Sequence, residues 1–178
     1  MHPLETRPLP GEYDLYYDLY VSRVPGGNLA ELLERQIERV HAVAHSFCGE
    51  RGGGAGEQFA YAPGKWPVRT LMQHVVDTER VMGYRVLRFA RRDPTPLPGF
   101  DQDVFATNGG TDQRSLAQFC TEFEHVRRSN IALISGFDVA ALAWSGSMWD
   151  KKVSLLALCL LLHGHAGHHL DVLEERYV

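Results

Sequence analysis

What the chain lacks narrows its class first. Its three cysteines, Cys48, Cys120 and Cys159, are far apart and show no CxxC spacing. Such an odd, scattered set reads as reduced thiols and excludes a disulfide frame. There is no long basic run, and the formal net charge is −4, so nothing favours nucleic acid as a partner. The longest apolar run, around Leu155–Leu162, is far too short to span a bilayer. The opening M-H-P-L-E-T-R-P-L-P-G has no charged region leading into an apolar one, so no signal peptide is expected. These absences predict a soluble cytoplasmic protein without membrane or nucleic-acid partners. The glycine-rich stretch 49–56 lacks the lysine and Ser/Thr of a phosphate-binding loop. No Ser or Cys stands in a nucleophile elbow. Chemistry, if present, has to come from elsewhere.

With 178 residues, 44% hydrophobic and 22% charged, the chain suits a single domain over 1–178 with one sizeable core. Residues 1–12 are proline-rich and are expected to be extended. Tyr13–Val24, with four tyrosines, is expected to pack over the domain as a short turn or helix. Asn28 caps a first helix whose apolar face runs Leu29, Leu32, Leu33, Val40, Val43, Ala44 and Phe47. The stretch 49–56 ends it as a loop. A second helix is predicted over Pro67–Arg91, with Leu71, Val75, Met82, Val86 and Phe89 inward. The proline-punctuated D-P-T-P-L-P-G-F-D-Q-D, residues 93–103, is expected to be a non-helical loop. Thr111 or Asp112 is expected to cap a third helix reaching about Gly136. A loop holding Trp144 and Trp149 follows, and Ser154 opens a fourth helix. No stretch alternates strongly enough to demand a sheet. The pattern predicts an all-α fold, a four-helix bundle.

The last helix carries L-H-G-H-A-G-H-H-L-D. His165 and His169 stand at i, i+4, about 40° apart and roughly 6 Å along one face. Both fall on the apolar stripe with Leu158, Leu162, Val172 and Leu173, while His163 and His168 flank it. Two imidazoles so placed are either metal ligands or a pair of hydrogen-bonded core histidines. His74 lies at the edge of the second helix's inward face. Alone it reads as a satisfied or exposed histidine; opposite His165 and His169 it completes a three-histidine site with open positions. No Glu follows His165, so the His-Glu-x-x-His arrangement of zinc peptidases is absent. In the His41/His45 pair, His41 sits at the rim of the apolar face and His45 shares its side with Glu34 and Glu38, so the pair reads as solvated. Glu122–His125 matches one Glu-x-x-His of a di-iron bundle, but the second copy and further glutamates are missing. Arg127 and Asn130 sit on the third helix's apolar stripe, either lining a cavity, or forming a buried salt bridge, or marking a helix whose true phase turns them outward. Asp101 and Asp103 are candidate orienting groups for the ligands or plain caps.

An ordered set of motifs resembles the DinB/YfiT-like superfamily: Y-A-P-G-K-W (61–66), H-V-V-D-T-E-R (74–80), Y-R-V-L-R-F-A-R (84–91), P-L-P-G-F-D-Q-D (96–103) and G-H-A-G-H-H-L-D-V-L-E-E-R-Y (164–177). The likeness covers roughly residues 13–178. It implies a four-helix bundle, often a homodimer, with a divalent metal such as zinc or nickel on three histidines. Those map onto His74, His165 and His169. It further implies thiol S-transferase chemistry with a low-molecular-weight thiol (bacillithiol, mycothiol or glutathione) as co-substrate, acting on a small electrophilic molecule. The sequence departs from the family pattern at Ala166, where a glutamate is common, and in W-S-G-S-M-W-D-K-K before the last helix. Arg85, Arg88 and Arg127 are then candidate contacts for carboxylates of the thiol. The alternatives are a metal-dependent hydrolase using the same site, and a non-enzymatic, stress-response metal-binding bundle.

Overall fold

Capping side chains set where the long helices begin. The computed structural model describes residues 2–48 and 56–177. Its helices are α1 (Asp18–Val21), α2 (Leu29–Ser46), α3 (Val68–Ala90), α4 (Gln102–Asn108), α5 (Leu116–Ile134), α6 (Val139–Leu142) and α7 (Leu155–Arg176), with a hairpin of β1 (Ser145–Met148) and β2 (Lys151–Ser154) before α7. Asn28 Oδ1 accepts from Ala30 N at 3.0 Å at the start of α2. Ser154 Oγ accepts from Ala157 N at 3.2 Å at the start of α7. Both side chains satisfy amides that the first helical turn leaves unpaired.

The four long helices form the expected bundle. α2 and α3 each pack against both α5 and α7, and α1 lies along α7. α7 is enclosed: Leu155, Ala157, Leu158, Cys159, Leu160, Leu170 and Leu173 are fully buried on several sides of it. Gly164 makes the α1 contact possible, because a Cβ there would stand 2.2 Å from the Tyr20 carbonyl oxygen.

Four local expectations differ from the structure. The cap of α5 is Ser115, in a reciprocal capping box with Gln118, and residues 111–113 form a separate 3-10 turn. The region 93–103 is non-helical only to Asp101. Beyond Pro98 no proline bars a helix, and Asp101 Oδ1 accepts from Asp103 N and Val104 N to start α4. The N-terminal segment is not merely extended, since Pro3–Glu5 makes a turn that buries Leu4. The hairpin pairs Ser145 with Ser154 and Met148 with Lys151. Its turn residues Trp149 and Asp150 both have positive φ, 54° and 59°, where the sequence lacks the Asn-Gly signal of such a turn. The loop expected over 49–56 lies, apart from Gly56, outside the described residues.

The apolar core divides into two clusters. One holds Leu33, Met82, Val86, Ile134 and Leu162; the other holds Ile37, Val76, Phe123, Ala166 and Leu170. A polar layer lies between them. Arg127 donates from Nε and Nη2 to the two carboxylate oxygens of Glu79, each at 2.8 Å. Its Nη1 donates to Gln36 Oε1 at 2.7 Å, and its Nη2 also donates to the Leu162 carbonyl at 2.9 Å. Gln36 in turn donates to the His163 carbonyl at 3.0 Å, and Asn130 to Glu79 Oε1 at 2.7 Å. Arg127 and Glu79 are 0% and 2% exposed, so this is the buried salt bridge rather than a cavity lining.

Leaving one charge of such a pair uncompensated costs about 3–5 kcal/mol, while replacing both with apolar groups of similar size is close to neutral. Arg127→Met is therefore expected to destabilise the protein by about that amount, and Arg127→Met/Glu79→Met by much less. Urea titration of the two single variants and the double variant measures the coupling.

Candidate metal centre

Two features bring three imidazoles together. The i, i+4 spacing stacks His165 and His169 on the inner face of α7, and α3 presents His74 from the facing helix. The ends of these helices are pinned: the Tyr177 hydroxyl, just past α7, donates to the Trp66 carbonyl, just before α3, at 2.7 Å. On the outer side of α7, Arg39 of α2 donates to Asp171 at 2.6 Å and also binds Glu174.

The Nε2 atom of His165 lies 3.1 Å from Nε2 of His74 and 3.2 Å from Nε2 of His169. One imidazole nitrogen carries either a proton or a lone pair, so it makes one in-plane hydrogen bond. Two nitrogens at hydrogen-bond distance from the same nitrogen exceed that capacity. A cation at their centre removes the conflict: tetrahedral bonds of about 2.0–2.1 Å place neighbouring nitrogens about 3.3–3.4 Å apart. Among the described residues this is the one group of three or more potential ligands, all within 4.8 Å of one another, and it has no fourth protein member. The donor set fits a divalent metal with positions left open.

The surroundings keep the rings neutral. Burial lowers the pKa of His74 to about 4 and that of His169 to about 3, and that of His165 well below its ordinary value. The neighbouring imidazoles add to the shifts of His165 and His169. Trp66 covers His74 at 5.0 Å between ring centroids, and Tyr20 covers His165 at 5.5 Å. His169 is half-buried and faces a cleft of about 400 Å³. Tyr61, Trp66 and Tyr177 form its aromatic wall, with Lys65, Asp103 and Arg176 around it.

The other candidates fall elsewhere. Arg127 is committed to Glu79. Arg88 pairs with Asp93 and donates to Thr95 O. Arg85 is buried eleven residues beyond His74, about 16 Å along α3. None of these three lines the cleft beside His169. Asp101 is the cap of α4, whereas Asp103 reaches the cleft. His168 borders the cleft next to His169, and His163 is desolvated away from it, its pKa lowered to about 4. His41 contacts Glu124 and His45 is exposed, as expected of a solvated pair. Glu122 is held outward by Arg80 and Arg114. Lys65 and Arg176 were not singled out in the sequence. Their signal was membership of the Y-A-P-G-K-W and E-E-R-Y motifs, but only the meeting of α3 and α7 puts them on one cleft.

In the unfolded chain His74, His163 and His169 take up protons near 6.5, whereas in the metal-free fold they resist protonation down to about 3–4. The unfolded state thus binds more protons between these values, and stability is lost as pH falls through that window. The urea midpoint of metal-stripped protein is expected to drop between pH 6.5 and pH 4; a flat midpoint there contradicts the burial argument.

A family model described as the DinB superfamily matches residues 32–173. No curated protein matches the chain. Among solved structures, one described as "YfiT from Bacillus subtilis is a probable metal-dependent hydrolase with an unusual four-helix bundle topology" aligns with a TM-score of 0.74. The alignment covers 96% of this chain and 91% of that one at 13% identity, a likeness of fold. With the family model spanning most of its length and the same bundle observed, the chain belongs to the DinB superfamily.

Proposed function

We propose that the protein is a metal-dependent enzyme that acts on a small molecule in the cleft beside His169, joining a low-molecular-weight thiol through its sulfur to an electrophilic carbon. The thiol gives up its proton and the electrophile its leaving group. The observation that carries this reading is the convergence of three neutral imidazoles, with Nε2 of His165 3.1 Å from that of His74 and 3.2 Å from that of His169, of which His169 lines an open cleft. His74, His165 and His169 are the ligands, with zinc or nickel suited to the set. A divalent cation on three uncharged ligands keeps its full charge and so favours ionisation of a thiol or water brought to it.

The chain's own residues hold and shield. Trp66 and Tyr20 keep bulk water from His74 and His165. Lys65 and Arg176 have no carboxylate partner among the described residues and sit on the cleft. They suit the carboxylates of a thiol such as glutathione or bacillithiol better than Arg88 or Arg127, whose donors are already engaged. Asp103, across the same cleft, suits an ammonium group on such a ligand. The description of YfiT as a probable metal-dependent hydrolase supports a second reading, in which water takes the place of the thiol.

Protein purified without added metal or an affinity histidine tag is expected to carry one divalent metal per chain by elemental analysis, and His165→Ala/His169→Ala none. Full occupancy in His74→Ala overturns the three-histidine assignment. With metal loaded, product formation from an electrophile such as a chlorinated nitrobenzene is expected only when a thiol is supplied. Turnover of an ester or amide with no thiol present selects the hydrolytic reading instead.

A further inference from the structure

Among the described residues three charged side chains other than histidine are buried: Glu79, Arg85 and Arg127. Glu79 and Arg127 neutralise each other, but Arg85, 1% exposed, has no carboxylate in reach. Its Nη2 donates to the Pro98 carbonyl at 3.1 Å, and its Nη1 lies 3.7 Å from Met82 Sδ. A carbonyl and a thioether occupy two of five donors and supply no negative charge. Burial without a counter-ion lowers the pKa of this guanidinium. The family chemistry gives it no task, since it lies about 16 Å along α3 from His74.

The fold nonetheless encloses Arg85 in aromatic side chains. The Trp149 ring stacks on the guanidinium at 4.5 Å, and Phe100 lies at 5.7 Å. Trp149 and Asp150 are the two turn residues of the hairpin, at φ 54° and 59°, so the turn carries the indole to Arg85. Gly99 gives the indole room, because a Cβ there would stand 3.1 Å from Trp149 Nε1. Arg85 lines a pocket of about 300 Å³. Its wall is Val81, Tyr84, Leu97, Pro98 and Phe100, with Arg80 at the rim and no acidic residue.

We propose that Arg85 anchors a second ligand site, separate from the histidine cluster, for a small organic carboxylate whose apolar body lies against Leu97, Pro98 and Phe100. The planar fork of a guanidinium matches the two oxygens of a carboxylate, and stacking on Trp149 keeps that fork in one orientation. Desolvation strengthens the pairing, since the cost of removing the cation from water is already met in the fold. The apolar wall selects a carboxylate with a hydrocarbon body over a hydrated inorganic anion.

The test is calorimetric titration of the metal-loaded protein with benzoate, beside benzyl alcohol as the neutral analogue and inorganic phosphate. Saturable benzoate binding is expected, with no binding of benzyl alcohol. Arg85→Gln is expected to weaken benzoate about 10- to 100-fold, the worth of a charge-assisted pair. Should Arg85→Gln fail to fold by circular dichroism, Leu97→Trp fills the pocket while leaving the guanidinium in place, and is expected to abolish binding. The His165→Ala/His169→Ala variant is expected to bind benzoate as the parent does. The proposal is overturned by any of three results: no saturable binding to the parent, binding unchanged in Leu97→Trp, or binding lost with the histidines, which would assign the carboxylate to the metal. Phosphate bound in preference to benzoate overturns the organic carboxylate class.

Discussion

The guanidinium of Arg127 donates to groups on the other three long helices: the Glu79 carboxylate of α3, the Gln36 amide of α2 and the Leu162 carbonyl of α7. Apolar packing alone tolerates a helix sliding or turning by a fraction of a residue. Hydrogen bonds inside a low-dielectric core do not, because each misaligned donor loses its partner and has no water to replace it. The layer lies between the two apolar clusters and so fixes the register of all four helices at one height. Gln36 extends the constraint to the His163 carbonyl, so α7 is held at two successive peptide groups.

That constraint is felt one turn further along α7. His165 lies three residues after Leu162 and two after His163, and His74 lies five residues before Glu79 on α3. Fixing Glu79 against Leu162 therefore fixes His74 against His165, and the i, i+4 geometry brings His169 into the same space. The polar layer and the three-histidine cluster are two consequences of one alignment of α3 with α7. The Tyr177–Trp66 hydrogen bond closes the other end of the same pair of helices and shapes the cleft wall. A site that takes a metal without a fourth protein ligand needs such external bracing, since its ligands are not held by a closed coordination sphere.

The bundle was legible because its helices are long and amphipathic, and because Asn28 and Ser154 announce two of the starts. The short elements were not. The α4 helix follows three prolines that mask it, and α5 starts at the Ser115-x-x-Gln118 capping box because Thr111 and Asp112, equally plausible caps by residue type, belong to a separate 3-10 turn. The hairpin turns on Trp149 and Asp150, which both take the positive φ that a two-residue turn of this kind requires but are not the Asn-Gly pair that announces it. Arg127 and Asn130 were seen on an apolar stripe, yet Glu79 and Gln36, their partners, lie on other helices and offered no local pattern.

By itself the sequence determined the class of fold and the placing of His165 and His169 on one face, because helical periodicity and i, i+4 spacing are properties of neighbouring residues along one chain. The motifs carried the family for the same reason. His74 was tied to the other two histidines only by the motif resemblance, and the fold brings it to them. Tertiary structure alone decided which charges are spent on holding the bundle and which are free to meet a ligand. Arg85, Arg88 and Arg127 look alike as sequence, but one is stacked and without a counter-ion, one pairs at the surface and one locks the core. Lys65 and Arg176, more than a hundred positions apart, face one cleft. Partnership between charges depends on distance across the fold, and distance along the chain carries no record of it.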